Sequence, residues 1–136
     1  MKAYPGNHTP GILPDSGERV EFKTGAVRDI TTGKGRYDLL SPIAIKRLAQ
    51  HSANGGMKYK DRNWEKGMPL NRFLDSALRH LFQLLDGDDQ EDHAAAAMWN
   101  IAGFIHTQEK IRQGKLPKEL AEGLSYDPIP LFKWEK

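Results

Sequence analysis

Leu70, Leu74, Ala77, Leu78, Leu81 and Leu85 recur at the spacing of one helix face, so the segment opened by Pro69 hides its apolar side only as a helix. Gly87 stops it. A lone amphipathic helix needs partners, and the flanking segments supply them. Ser41-Pro42 puts an N-capping serine before a proline at the first helical position. Ile43, Ala44, Leu48 and Ala49 then keep helical spacing until Asn54-Gly55-Gly56, where this helix is expected to end. Past Gly87, Asp88 or Asp89 is expected to cap a third helix, with Gln90, Glu91 and Asp92 in its first turn. That helix runs to about Arg112, before Gly114, and the small residues Ala94 to Ala97 let a neighbour approach closely. Pro117 to Leu120 begins a short last helix. The predicted fold is mainly α: a small bundle of three main helices plus a short one.

Residues 1–40 differ, with Gly6, Gly11, Gly17, Gly25, Gly33 and Gly35 among Pro5, Pro10 and Pro14. They read as an extended Gly/Pro-rich N-terminal arm, with Arg19 to Phe22 a candidate short strand. The 136 residues are expected to form a single helical domain: arm 1–40, helical core 41–112, short helix and aromatic tail 113–136. There is no cysteine, which removes disulfides and thiolate zinc sites. The opening residues carry no apolar leader, and the run from Ala94 to Ile105 is interrupted by Asn100 and too short for a bilayer. A cytoplasmic protein without membrane contact is expected. Twenty basic residues against 18 acidic ones are too balanced for binding bulk nucleic acid.

Four groups of residues could carry chemistry. In Thr31 to Asp38, glycines would let backbone N–H groups approach an anion, with Lys34, Arg36 and Tyr37 as ligand candidates. The loop is not a P-loop, because Gly35 follows Lys34 where Ser or Thr is required. A solvated basic turn is the alternative. On the second helix, Arg72 and Arg79 are seven apart and could clamp a phosphate, whereas an Asp75–Arg79 ion pair is the plainer reading. On the third, Asn100 sits among apolar residues and needs hydrogen-bond partners if buried. His80 and His93 both lie toward the turn between these helices, so with Asp92 they could hold a metal or read a phosphate. The loop Tyr59, Arg62, Asn63, Trp64 interleaves rings for base stacking with cations for phosphates; alternatively Trp64 plugs a helix junction.

The carboxylates lack the Glu-x-x-Glu and Glu-x-x-Asp pairs with which MazG-type NTP pyrophosphohydrolases bind magnesium. Asp75 stands alone before Asp86, and Glu91 and Asp92, being adjacent, point about 100° apart on a helix. Other elements are more telling: Gly33 to Leu40, Lys58-Tyr59, Arg62 to Gly67, Arg72-Phe73, Asp75 to Leu81, Asp92-His93 and Ala96 to Asn100. Together, over roughly Phe22 to Ile105, they resemble the N-terminal domain of phage dATP/dGTP diphosphohydrolases. The resemblance implies a nucleotide ligand and marks Arg79, His80, His93 and Asn100.

With cations, amides and aromatics outnumbering usable carboxylates, and no second region before Lys136 for the missing quartet, the sequence favours capture. The expected function is a phage protein that holds a nucleotide or nucleotide-derived host-defence signal without hydrolysis and without a required cofactor. The alternative is a metal-dependent dATP/dGTP diphosphohydrolase placing Asp75, Glu91 and Asp92 on Mg2+. The alanine-rich third helix and the aromatic tail suggest a homo-oligomer.

Overall fold

The computed structural model describes residues 15–124, which form two compact units, 15–39 and 40–124. The first fourteen residues of the arm, and the tail from Tyr126 onward, lie outside the described residues.

The first unit is a hairpin. Strands β1 (Arg19–Glu21) and β2 (Val27–Asp29) pair antiparallel with Arg19 opposite Asp29. Gly25, at φ +87°, allows the tight return, and its N–H donates to Phe22 O at 2.8 Å. Asp29 ties the hairpin to its flanking segments: Ser16 donates to its carboxylate through Oγ, and Lys34 Nζ reaches it at 3.2 Å. Arg36 bonds both oxygens of Asp38 at 2.8 Å, at the start of a 3-10 turn over Tyr37–Leu39.

The second unit is the helical body. Helix α1 (Pro42–Tyr59) starts as expected, with Ser41 Oγ accepting from Ala44 N at 3.2 Å. It does not stop at Gly55-Gly56. These glycines remain helical, and the missing side chain of Gly56 makes room for Asp61, whose Oδ1 would lie 2.6 Å from a Cβ there. Lys60 ends the helix at φ +76°, donating to Gly56 O at 3.0 Å. A 3-10 turn, Asn63–Lys66, comes next.

Helix α2 (Leu70–Leu85) starts after Pro69 and is closed by Gly87 at φ +83°. Its buried face is Leu70, Phe73, Ala77 and His80, rotated from the leucine stripe; Leu78, Leu81 and Leu85 are exposed. Packing is the cause of the rotation. Gly103 of α3 (His93–Arg112) stands so close to Phe73 that a Cβ on it would lie 2.5 Å from Phe73 Cε1, which seats the ring between the helices. Ala95, Ala96 and Ala97 are buried on the same α3, as their small size predicts.

Helix α3 begins later than expected. Asp88 Oδ1 accepts from Gln90 N at 2.9 Å, a local turn that competes with helix, so 88–91 stays non-helical. Asp92 is the cap, accepting from Ala95 N at 3.1 Å. At the far end Leu70, Ile111 and Ala121 form a small core, closed by Phe104, Leu116, Leu120 and Leu124 around a 3-10 turn at Lys118–Ala121. The architecture is thus mainly α, as predicted. No helix among the described residues is long and apolar enough to cross a membrane.

Candidate active site

Helix α1, the Asn63–Lys66 turn, α2 and the start of α3 enclose a cleft of about 1100 Å3. Arg47, His51 and Asn54 fall on one face of α1 and line this cleft, and the continuation through Gly55-Gly56 adds Lys58 to that face. Opposite them stand Arg72, Arg79 and His80 from α2, and Trp99 and Asn100 from α3. Tyr59, Arg62, Asn63 and Trp64 close one end, and Glu91 and Asp92 the other.

The sequence candidates divide accordingly. Tyr59, Arg62, Asn63, Trp64, Arg72, Arg79, His80 and Asn100 come together in the cleft. Asp75 is exposed on α2 and does not line it. Lys34, Arg36 and Tyr37 belong to the first unit, where the two cations are already paired with Asp29 and Asp38. Sequence reasoning missed Arg47 and His51. Their signal, a polar stripe Arg47, His51, Asn54 within the expected first helix, carries no meaning until α2 and α3 pack opposite it.

Aromatic rings make the cleft's apolar floor. Trp64 meets Trp99 edge-on at 6.3 Å and His106 at 4.7 Å, while Trp99 lies 5.6 Å from His51. Trp64 is half-buried, so it plugs the junction and still presents area to the cleft. Asn100, buried, donates from Nδ2 to Ala96 O at 2.8 Å, which leaves Oδ1 as its acceptor.

The arginines are not equivalent. Arg47 bonds both carboxylate oxygens of Asp92, its Nε at 2.8 Å, and that hydrogen bonding holds the Asp92 pKa down to about 2. Arg62 pairs with Glu65 at 2.5 Å. Among the described residues, Arg72 and Arg79 make no ion pair; Arg79 reaches only Ser76 Oγ, at 3.4 Å, and the Asp75–Arg79 bridge does not form. Two guanidiniums in a concave site without carboxylate partners leave positive charge for an anion.

At the α2–α3 turn, His80 Nδ1 and His93 Nδ1 lie 2.9 Å apart, both rings buried. Such a contact requires one nitrogen to carry the proton and the other to be bare. Burial, followed by the charge of neighbouring Arg79, lowers the pKa of His80 and keeps it neutral. Glu91 joins this pair: ligand atoms of His80, Glu91 and His93 all lie within 4.8 Å of one another. Asp92, grouped with the histidines on the sequence, is instead committed to Arg47 and to capping α3.

Residues 24–116 match the family model of the dATP/dGTP diphosphohydrolase N-terminal domain, and the chain belongs to that family. It is also similar to a dATP/dGTP diphosphohydrolase of Salmonella phage PMBT28, 26% identical over 110 residues. That alignment covers 72% of this chain and 38% of the relative, so the chain spans well under half of the relative's length. No solved structure matches. These findings overturn the expectation of capture without hydrolysis: family and relative alike carry the name of a diphosphohydrolase. The expectation failed because it rested on a carboxylate quartet missing from α2 and α3, and equated that absence with absence of catalysis.

Proposed function

We propose that this chain binds a purine deoxynucleoside triphosphate in the α1–α2–α3 cleft and serves its diphosphohydrolysis. The reaction is the attack of water on the α–β phosphoanhydride, giving a deoxynucleoside monophosphate, pyrophosphate and a proton. The observation that carries the reading is that Arg72 and Arg79, which make no ion pair among the described residues, stand beside an aromatic floor.

Arg72 and Arg79 stand two turns apart on α2, about 10.5 Å of helix rise. One phosphate cannot engage both, but a polyphosphate chain can. Both charges would then favour the pyrophosphate leaving group, where negative charge accumulates. Trp64, Trp99 and Tyr59 offer faces for a base, the two-ring face of a purine covering more of them than a pyrimidine. The Oδ1 of Asn100 can accept from an exocyclic amino group, which adenine, guanine and cytosine carry and thymine lacks. Mg2+ enters on the phosphates as part of the substrate.

The test is to incubate the chain with Mg2+ and each of dATP, dGTP, dCTP and dTTP, measuring binding by calorimetry and products by 31P NMR. Purine binding with pyrophosphate release is expected. Neither purine binding above the pyrimidines would overturn the reading, and binding with cleavage to a nucleoside diphosphate would overturn the chemistry.

A further inference from the structure

We propose that His80, His93 and Glu91 form a binding site for a divalent ion of borderline softness, of the zinc class. The site lies at the α2–α3 turn, on the edge of the cleft. The assignment deepens the nucleotide reading and rests on it for the ion's purpose, but not for the site's existence.

The donor set is the first argument. Two imidazole nitrogens with one carboxylate oxygen suit a borderline ion, whereas Mg2+ favours oxygen ligands throughout. Spacing is the second. Nitrogen and oxygen ligands at zinc distances around a tetrahedral ion lie about 3.3 Å from one another. The observed separations straddle that value: 2.9 Å for His80 Nδ1 to His93 Nδ1, and 3.9 Å for His93 Nδ1 to Glu91 Oε2. Small rotations of two side chains would equalise them.

A plain histidine–histidine hydrogen bond accounts for less. It uses one N–H and one lone pair, and gives no reason for a carboxylate to stand by the same atoms. Nor does it explain the other side of His93, which is only 1% exposed. Its Nε2 stands 3.1 Å from Asp88 Oδ1, close enough for an ion pair but off the line of a formed hydrogen bond. A carboxylate in that place favours the proton on Nε2, leaving Nδ1 bare and aimed at His80 and Glu91. This is how outer carboxylates orient metal-binding histidines. Three protein ligands are one fewer than a closed structural site, and His80 and Glu91 both line the cleft. The remaining position would face it.

The test uses the whole chain stripped with EDTA and then dialysed. It is titrated with Co2+, followed by visible absorption, and with Zn2+, followed by elemental analysis. A single ion per chain is expected, with a visible Co2+ band that Zn2+ displaces and Mg2+ does not. Glu91 is exposed, so Glu91→Gln should fold and weaken Zn2+ binding by roughly tenfold or more; Asp88→Asn should weaken it by about tenfold. Absence of a retained ion, or equal affinity in Glu91→Gln, would overturn the proposal, whatever happens to a buried His93→Asn variant. Binding of dATP is measured separately on the same samples. Nucleotide binding without a metal site refutes only this inference; a metal site without nucleotide binding refutes only the functional reading.

Discussion

Gly103 lies under the ring of Phe73 with no room for a methyl group: a Cβ would stand 2.5 Å from Cε1 and 3.0 Å from Cδ1. The contact sets the separation of the two best-buried helices and fixes which face of α2 turns inward. A Gly103→Ala substitution should therefore cost about 1–3 kcal/mol, the usual range for overpacking. The same substitution at Gly55, helical with nothing within 4 Å of its Cβ, should stabilise by roughly 0.5–1 kcal/mol. Denaturant melts of the two variants should move in opposite directions; equal shifts would refute the packing argument.

Asp92 is held at a pKa of about 2, below its ordinary 3.8, chiefly by its hydrogen bond from Arg47 and then by the Ala95 N–H. The folded value is the lower one, so its stabilisation is fully present above about pH 4 and disappears as pH falls toward 2. Asp92→Asn should flatten that part of the stability profile while retaining the cap. At neutral pH it should cost less than about 1 kcal/mol, as expected for an exposed pair. Asp92→Ala removes the cap as well and should cost about 1 kcal/mol more. Urea unfolding at pH 7, 4 and 2.5 checks both, and an unchanged profile in Asp92→Asn would be decisive against the role.

Arg72→Gln and Arg79→Gln should each weaken dATP binding by about 10- to 100-fold, the loss of a charged hydrogen bond. Both residues are exposed and outside any ion pair among the described residues, so stability should change by less than about 0.5 kcal/mol. Arg62→Gln should weaken binding less, because Glu65 already shares its charge. Calorimetry paired with thermal melts separates a binding effect from a folding effect. Equal affinities across all three variants would remove the arginines from the site.

Helix α1 has no fully buried residue, whereas α2 and α3 bury four and eight. Its amides should exchange with solvent well before those around Phe73 and Thr107, since few apolar contacts resist its local opening. Hydrogen exchange read by mass spectrometry checks this. Protection of α1 equal to that of α3 would contradict it.

The parts of the fold that depend on neighbouring residues were legible in the sequence. Ser41 before Pro42, Gly87 and Gly114 marked helix ends because capping and positive φ are local demands. Features needing a second element were not. Gly55-Gly56 resembles a stop, and only Asp61 folding over Gly56 explains why it is not one. The leucines of α2 fit a helical face equally well whichever side α3 takes, so periodicity could not anticipate His80 inside and Leu81 outside. The same limit governed the site. Residue type singled out Arg72, Arg79 and the Tyr59 to Trp64 loop, which line the cleft, whereas Arg47 and His51 on α1 gain meaning only from the helices packed opposite them. Asp92, expected in the first turn, is the cap in place of Asp88 or Asp89, because the Asp88 turn delays the start of α3 by several residues.

One wall of the cleft is thus fastened differently from the rest. Helix α1 meets α3 through the exposed Arg47–Asp92 pair and the His51–Trp99 contact, without a buried apolar side chain of its own. Charge attraction of this kind weakens as counter-ions accumulate, over a Debye length of about 10 Å at 0.1 M salt. The deep side of the cleft is set by the packing of α2 on α3, which ionic strength affects far less. The α1 side is therefore expected to be the compliant one, its spacing answering to ionic strength and to the charge of whatever enters.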